Sequence, residues 1–331
     1  MPMVVGGAFR PYSGFLTRPS AHFGRFGWIE GRGRPLWPLL RPPGWGSSSR
    51  GEIVMSDTLG DYALGHAQQE LVRLSRQGQL LAPFTRSVFA AAGIGPGVRV
   101  IDLGCGGGDV SLLLAEMVGP TGRVLAVDRA PEALAATRAR AEQAGFSQIA
   151  TVQGDLSDPK NLSLPEGFDA AVGRLVLHYV PERAALIRRL TEVVRPGGAL
   201  AFIEMDLSVN GGSSPSPLAL RMLDWMLQTF RRGGFEPDTG SQLFGLFRGA
   251  GLEAELMATS IVGGGADSAV ARMIVDVVRS LEPQIIAAGV ATAEEIDVDT
   301  LLERLRAEPG AADRSFYLPR LTAAWARTAT V

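Results

Sequence analysis

Residues 98–109 read Val98-Arg99-Val100-Ile101-Asp102-Leu103-Gly104-Cys105-Gly106-Gly107-Gly108-Asp109, and few folds can hold such a stretch. A short apolar run (Val98, Val100, Ile101, Leu103) has the length of a buried strand and carries one acid, Asp102. A glycine turn follows, then an amphipathic helix over 110–118. Strand, glycine elbow and helix make half of a nucleotide-binding βαβ unit. Side chains in such a turn would hold a ligand off the backbone or forbid its dihedrals.

The glycine register is G-x-G-x-G, with Asp109 where the dinucleotide fingerprint needs its last glycine. A second strand, 123–128, ends in Asp128, twenty residues beyond Gly108. An acid there suits a ribose, because one carboxylate accepts from both hydroxyls. A phosphate-binding lysine loop is excluded, since the chain's one lysine is Lys160.

At this point the chain resembles the class I S-adenosylmethionine-dependent methyltransferases. Residues 100–108 resemble that family's first motif, and Asp128 its ribose-binding acid. Gln153-Gly154-Asp155-Leu156, Phe168–Val172 and Arg195-Pro196-Gly197-Gly198 resemble its later segments, in the family's order. The upstream Tyr62, Gly65, His66, Glu70, Arg73 and Gln77 are similar to the leader of a bacterial small-molecule methyltransferase subgroup. The resemblance implies S-adenosyl-L-methionine as cofactor and a small, partly apolar acceptor. It also implies a three-layer Rossmann-like α/β fold: a seven-stranded, mostly parallel sheet with a helical leader and helical lid insertions.

Composition agrees with a small-molecule enzyme. Residues 1–54 hold seven arginines against two acids, so residues 55–331 carry 25 basic and 32 acidic side chains. A mildly acidic body lacks the basic stripe that nucleic acid requires. A single cysteine forbids an internal disulfide, and no apolar run approaches the ~18 residues of a membrane helix. These features predict a cytoplasmic monomer or homodimer, without nucleic acid, membrane or metal; three histidines and one cysteine give no zinc spacing.

Residues 1–54, with ten glycines and seven prolines, show no periodicity and read as a disordered or mis-annotated extension, with translation expected from Met55. Residues 55–97 are expected to form a leader of two helices, 59–76 and 79–92. Residues 98–206 form the cofactor-binding core, with strands at 98–103, 123–128, 149–154, 168–173 and 199–205. Helices are expected between them at 109–118, 131–144 and 181–194. Residues 207–331 supply lid helices and the last two strands: helices at 218–232, 239–250, 266–282 and 293–307, strands at 252–262 and 315–328. The connection 263–314 is expected to begin on the ligand side of the sheet.

Alternating strands and helices put the ligand crevice at the strands' carboxyl ends. Gly104, Cys105, Gly106 and Gly108, then Asp128 with Arg129, Asp155 with Leu156, and Arg174 all fall there and are the candidate cofactor contacts. Asp102 is expected either to organise the glycine loop, to meet the cofactor's amino group through water, or to cap the following helix. Asp155 reads adenine or makes an Asx turn; Arg174 binds a carboxylate or anchors the leader. Tyr62 and Arg73 resemble leader residues that close over the cofactor. His178 is the candidate general base, against a packed core histidine, and Glu204 or Asp206 is read as orienting an amine or a metal. Met222, Trp225, Met226 and Phe230 of the 218–232 helix are the expected lid residues. The rival readings are a non-catalytic cofactor sensor and a nucleotide-dependent oxidoreductase on the same sheet.

Overall fold

The computed structural model describes residues 68–207 and 216–330. The expectations for 1–54, for the leader before Gln68 and for Tyr62 lie outside the described residues.

The chain enters on α1 (Gln68–Ala91). It then alternates through β1 (Arg99–Leu103), α2 (Asp109–Val118), β2 (Arg123–Asp128), α3 (Pro131–Gln143), β3 (Ile149–Gln153), β4 (Phe168–Arg174), α4 (Arg183–Val193) and β5 (Val194–Asp206). A second group follows: α5 (Pro217–Arg232), α6 (Thr239–Gly249), β6 (Glu255–Thr259), β7 (Val262–Gly264), α7 (Ala269–Ala287), α8 (Ala293–Ile296), α9 (Leu301–Ala307), β8 (Ser315–Tyr317) and β9 (Arg320–Arg327). The main sheet has seven strands in the order β3-β2-β1-β4-β5-β9-β6. Strands β1 to β5 pair in parallel, Val100 beside Val124 on one side and Ala170 on the other. Strand β9 runs antiparallel between β5 and β6. This is a Rossmann-like α/β fold.

Alternation along each strand sends side chains to two cores. Val100, Val124, Val172, Ala201 and Ile203 pack with residues of α1, α2, α5 and α7. Ile101, Leu103, Ala171, Leu200 and Phe202 pack with α4 and α6. The order of strands reverses between β1 and β4, so their carboxyl ends part and leave a crevice.

Several boundaries differ from the sequence expectation. The leader has no break near Gly78: α1 is continuous, because the glycine leaves room for Asp109, whose Cγ would lie 2.7 Å from a Cβ at position 78. The expected strand 252–262 is two strands, and β7 pairs with β8 in a separate ribbon. The expected last strand divides before Pro319, which has no N–H to continue a ladder. The 293–307 helix divides at Asp297, whose φ of 43° ends α8 after its Thr292–Glu295 capping box. Helix α7 runs five residues beyond 282, straight through Pro283.

Candidate functional site

The glycine elbow is held from below by backbone and side chains. Cys105 N–H donates to Val127 O at 2.9 Å, tying the loop to the end of β2. Gly104 has φ +66°, and a Cβ there would lie 2.4 Å from Val176 Cγ2. The elbow therefore requires glycine on two counts. Asp128 closes the loop: one carboxylate oxygen accepts Gly106 N–H at 2.9 Å, the other Ala130 N–H at 3.0 Å. Arg140 of α3, which the sequence reading missed, donates to Gly107 O and to Asp109 Oδ1 at 2.9 Å. Thr137, one turn earlier, donates to Gly106 O at 3.0 Å.

Neither Asp102 nor Gly108 lines the cleft. Asp102 is 1% exposed and accepts from Ser111 Oγ at 2.5 Å, so it anchors α2 beneath the elbow. Burial raises its carboxyl from 3.8 to about 7, against the opposing pull of the Ser111 hydrogen bond and the Arg174 charge. Gly108 faces Thr137, whose Oγ1 would be 2.9 Å from a Cβ; it permits helix packing and does not line the crevice. Cys105 does line it, but its thiol is buried beside Thr137, and desolvation pushes its ionisation far above the usual range.

The crevice opens above the elbow as a cleft of about 230 Å³. Its polar half is lined by Arg73, Gly104, Cys105, Gly106, Asp128, Arg129, Asp155, Leu156 and Arg174. Asp155 also accepts from Ser157 N and Oγ at 2.9 and 2.7 Å, so the Asx turn and the exposed lining position coexist. Arg174 Nη1 donates to Thr85 Oγ1 of α1 at 3.2 Å, which anchors the leader helix, and Arg174 also lines the cleft. Arg73 is buried and donates to Gln77, which lines the same wall with Leu74.

The other half is apolar. Met205 and Leu207 reach it from the end of β5, Phe235 from the turn after α5, and Leu318 with Pro319 from the break before β9. Of the four lid residues, Met226 and Phe230 line the cleft. Met222 and Trp225 do not: they are buried in the core shared with α7. A helix apolar nearly all round does not disclose which stripe meets a ligand. The same holds for Met273, Ile274 and Val277 of α7, which the spacing assigns to packing and which line the cleft.

His178 also lines the cleft, on a 3₁₀ turn, Leu177–Tyr179, with the Phe230 ring 6.1 Å away between centroids. Two residues before that turn, Leu175 holds φ +55°, sparsely populated for a leucine. Glu204 is fully buried and is not a cleft residue. Its Oε1 accepts from Val176 N and Leu177 N at 2.9 and 2.8 Å, and its Oε2 lies 3.1 Å from His178 Nδ1. Asp206, also fully buried, accepts from Arg320 Nη2 at 2.6 Å and from Ser241 Oγ. Neither acid is thus placed to orient an amine or a metal. Among the described residues no cluster of acids, histidines or cysteines has metal-binding geometry, and no helix is long and apolar enough to cross a membrane.

Residues 94–228 match a family model described as a methyltransferase domain. An uncharacterized protein of Mycobacterium tuberculosis is 35% identical over 146 residues, 44% of this chain and 47% of that protein. The nocamycin O-methyltransferase of Saccharothrix syringae is 31% identical over 156 residues, 47% of this chain and 51% of that enzyme. The chain thus spans about half the length of the curated relatives it matches. A crystal structure of a candidate methyltransferase from Bacillus halodurans C-125 aligns with a TM-score of 0.49 and 20% identity, covering 74% of this chain and 99% of that one. The match identifies residues 94–228 as a methyltransferase domain, and the elbow, the acid-tipped second strand and the strand order give it a Rossmann-like sheet.

Proposed function

We propose that this chain binds S-adenosyl-L-methionine in the polar half of the cleft and methylates a small molecule with an apolar body in the other half. One observation carries the reading: a single cleft joins a carboxylate-closed glycine elbow to a wall of methionine and aromatic side chains. The residues present fit such a cofactor. Gly104, Gly106 and Gly107 line the cleft without side chains, so a ligand can approach the elbow's backbone, and each Asp128 oxygen keeps acceptor capacity beyond its one backbone bond.

In this reading Asp128 accepts the ribose hydroxyls, and Asp155 with Leu156 N–H reads the adenine edge. Arg73 and Arg174 take the carboxylate end. The cofactor supplies a methyl group on a sulfonium, already activated for displacement. The protein's task is then to hold the acceptor within ~3–3.5 Å in line and to exclude water. A buried sole cysteine argues against soft metalloid acceptors, which need exposed thiolates, and suits a reducing compartment, which we take to be the cytoplasm.

Asp128→Ala should weaken S-adenosylmethionine binding by about 1–3 kcal/mol, since it leaves ribose hydroxyls and two backbone N–H groups short of a partner. Isothermal calorimetry on the full chain measures this. Unchanged affinity would remove Asp128 from the site, and wild-type binding of NADH in preference to S-adenosylmethionine would replace the reading with the oxidoreductase one. Profiling of a cell extract with isotopically labelled methyl donor then separates an enzyme, which labels an acceptor, from a sensor, which labels none.

A further inference from the structure

We propose that the acceptor group is a hydroxyl on a planar apolar body, a phenol or enol. In this proposal His178 Nε2 removes its proton, and Glu204 is the positioning residue that fixes the imidazole tautomer. The inference rests on the methyltransferase reading above.

Glu204 has two separable jobs. Its Oε1 accepts from Val176 N and Leu177 N, which a purely structural acid would also do. Its Oε2 is left for His178 Nδ1 at 3.1 Å. A carboxylate can only accept, so Nδ1 carries the hydrogen and Nε2 keeps its lone pair. The ring is held on other sides too. Tyr179 lies 3.9 Å away between centroids, and Phe230 presents an edge at 6.1 Å. The imidazole thus lines the cleft, and among the described residues no hydrogen bond reaches its Nε2.

The acceptor class follows from this chemistry. A thiol ionises unaided near neutral pH, and a neutral amine attacks before losing a proton. An un-ionised hydroxyl is a poor nucleophile and gains most from a base. Phe230, Phe235 and Tyr179 give flat walls suited to a ring. In the transfer the acceptor oxygen forms its bond to the methyl carbon as the carbon–sulfur bond breaks, with that electron pair remaining on sulfur. The hydroxyl proton passes to His178 Nε2 and later to solvent.

Glu204→Gln tests the assignment, because the amide oxygen can still accept from both backbone N–H groups while its NH2 faces Nδ1. The tautomer should invert. Nitrogen-15 NMR of the full chain reads it directly, and His178→Gln identifies the signal among the three histidines. We expect Nδ1–H in the wild type and Nε2–H in Glu204→Gln. With labelled methyl donor, kcat on 2-naphthol should fall about 100- to 10,000-fold in Glu204→Gln, with KM unchanged. Turnover of 2-naphthalenethiol should change less than about threefold, since its thiolate needs no base.

A wild-type Nε2–H tautomer overturns the proposal, as does equal loss on both probes or undiminished naphthol turnover in Glu204→Gln. If neither probe turns over, the tautomer decides. Calorimetry separates the two levels. Wild-type protein that does not bind S-adenosylmethionine sinks the underlying reading, whereas binding with the wrong tautomer sinks only this one.

Discussion

Gly104→Ala should abolish measurable S-adenosylmethionine binding and destabilise the fold by about 2–4 kcal/mol. The cost has two parts. Alanine at φ +66° occupies the left-handed region, at roughly 1–2 kcal/mol. Its Cβ would also sit 2.4 Å from Val176 Cγ2 and 3.2 Å from Val176 Cβ, so the elbow or the β4 end must move. Either movement is damaging. The elbow carries the N–H that Asp128 grips, and Val176 carries one of the N–H groups that Glu204 holds. Urea denaturation and calorimetry on the same samples give both numbers. Val176→Ala supplies the control: it removes the severe overlap with Cγ2 but not the dihedral cost. The double mutant should be less destabilised than the sum of the singles by at least about 1 kcal/mol. Wild-type affinity in Gly104→Ala would mean that the elbow is not the cofactor's seat.

Why this elbow was legible from the sequence, while its supports were not, is a matter of range. Gly104 and Asp128 announce themselves because they sit at the ends of short apolar runs, and parallel strands place such ends side by side. Arg140 and Thr137 reach the loop from more than thirty residues away, and nothing in the local pattern of α3 distinguishes them from surface side chains. Distance in sequence hid them.

Glu204 illustrates a different failure. Its position at the end of β5 correctly suggests the ligand side, but its oxygens are taken by the β4 turn, a contact that only the crossover brings about. For the lid helix the periodicity of α5 is real. Burial nevertheless comes from two directions, so Met222 and Trp225 pack on the core while Met226 and Phe230 meet the cleft. The strand expected over 315–328 failed at Pro319 for a local reason, the missing donor, which the sequence did display.

Asp102→Asn should raise stability at about pH 8 while weakening the cofactor site, and the two effects share one cause. In the folded chain burial keeps the Asp102 carboxyl protonated up to about pH 7, against an ordinary value of 3.8. Between those values the unfolded chain has released a proton that the folded chain retains. Fewer protons on the unfolded state mean that stability falls as pH rises through this window, by up to about 4 kcal/mol across it. An asparagine does not titrate, and its carbonyl can still accept from Ser111 Oγ. The variant and wild type should therefore differ least near pH 4 and most above pH 7, in urea melts followed across that range. A constant difference at all pH values would show that Asp102 has no raised ionisation. Above pH 7 the ionised Asp102 lies with Asp109 and Asp128 around the elbow, so it adds negative potential where a cationic sulfonium would bind. Asp102→Asn removes that charge, and its affinity for S-adenosylmethionine should drop relative to wild type most strongly at the alkaline end. Opposed changes of stability and affinity over one pH window are what a buried acid beneath a cation site produces; a merely structural cap would lose both together.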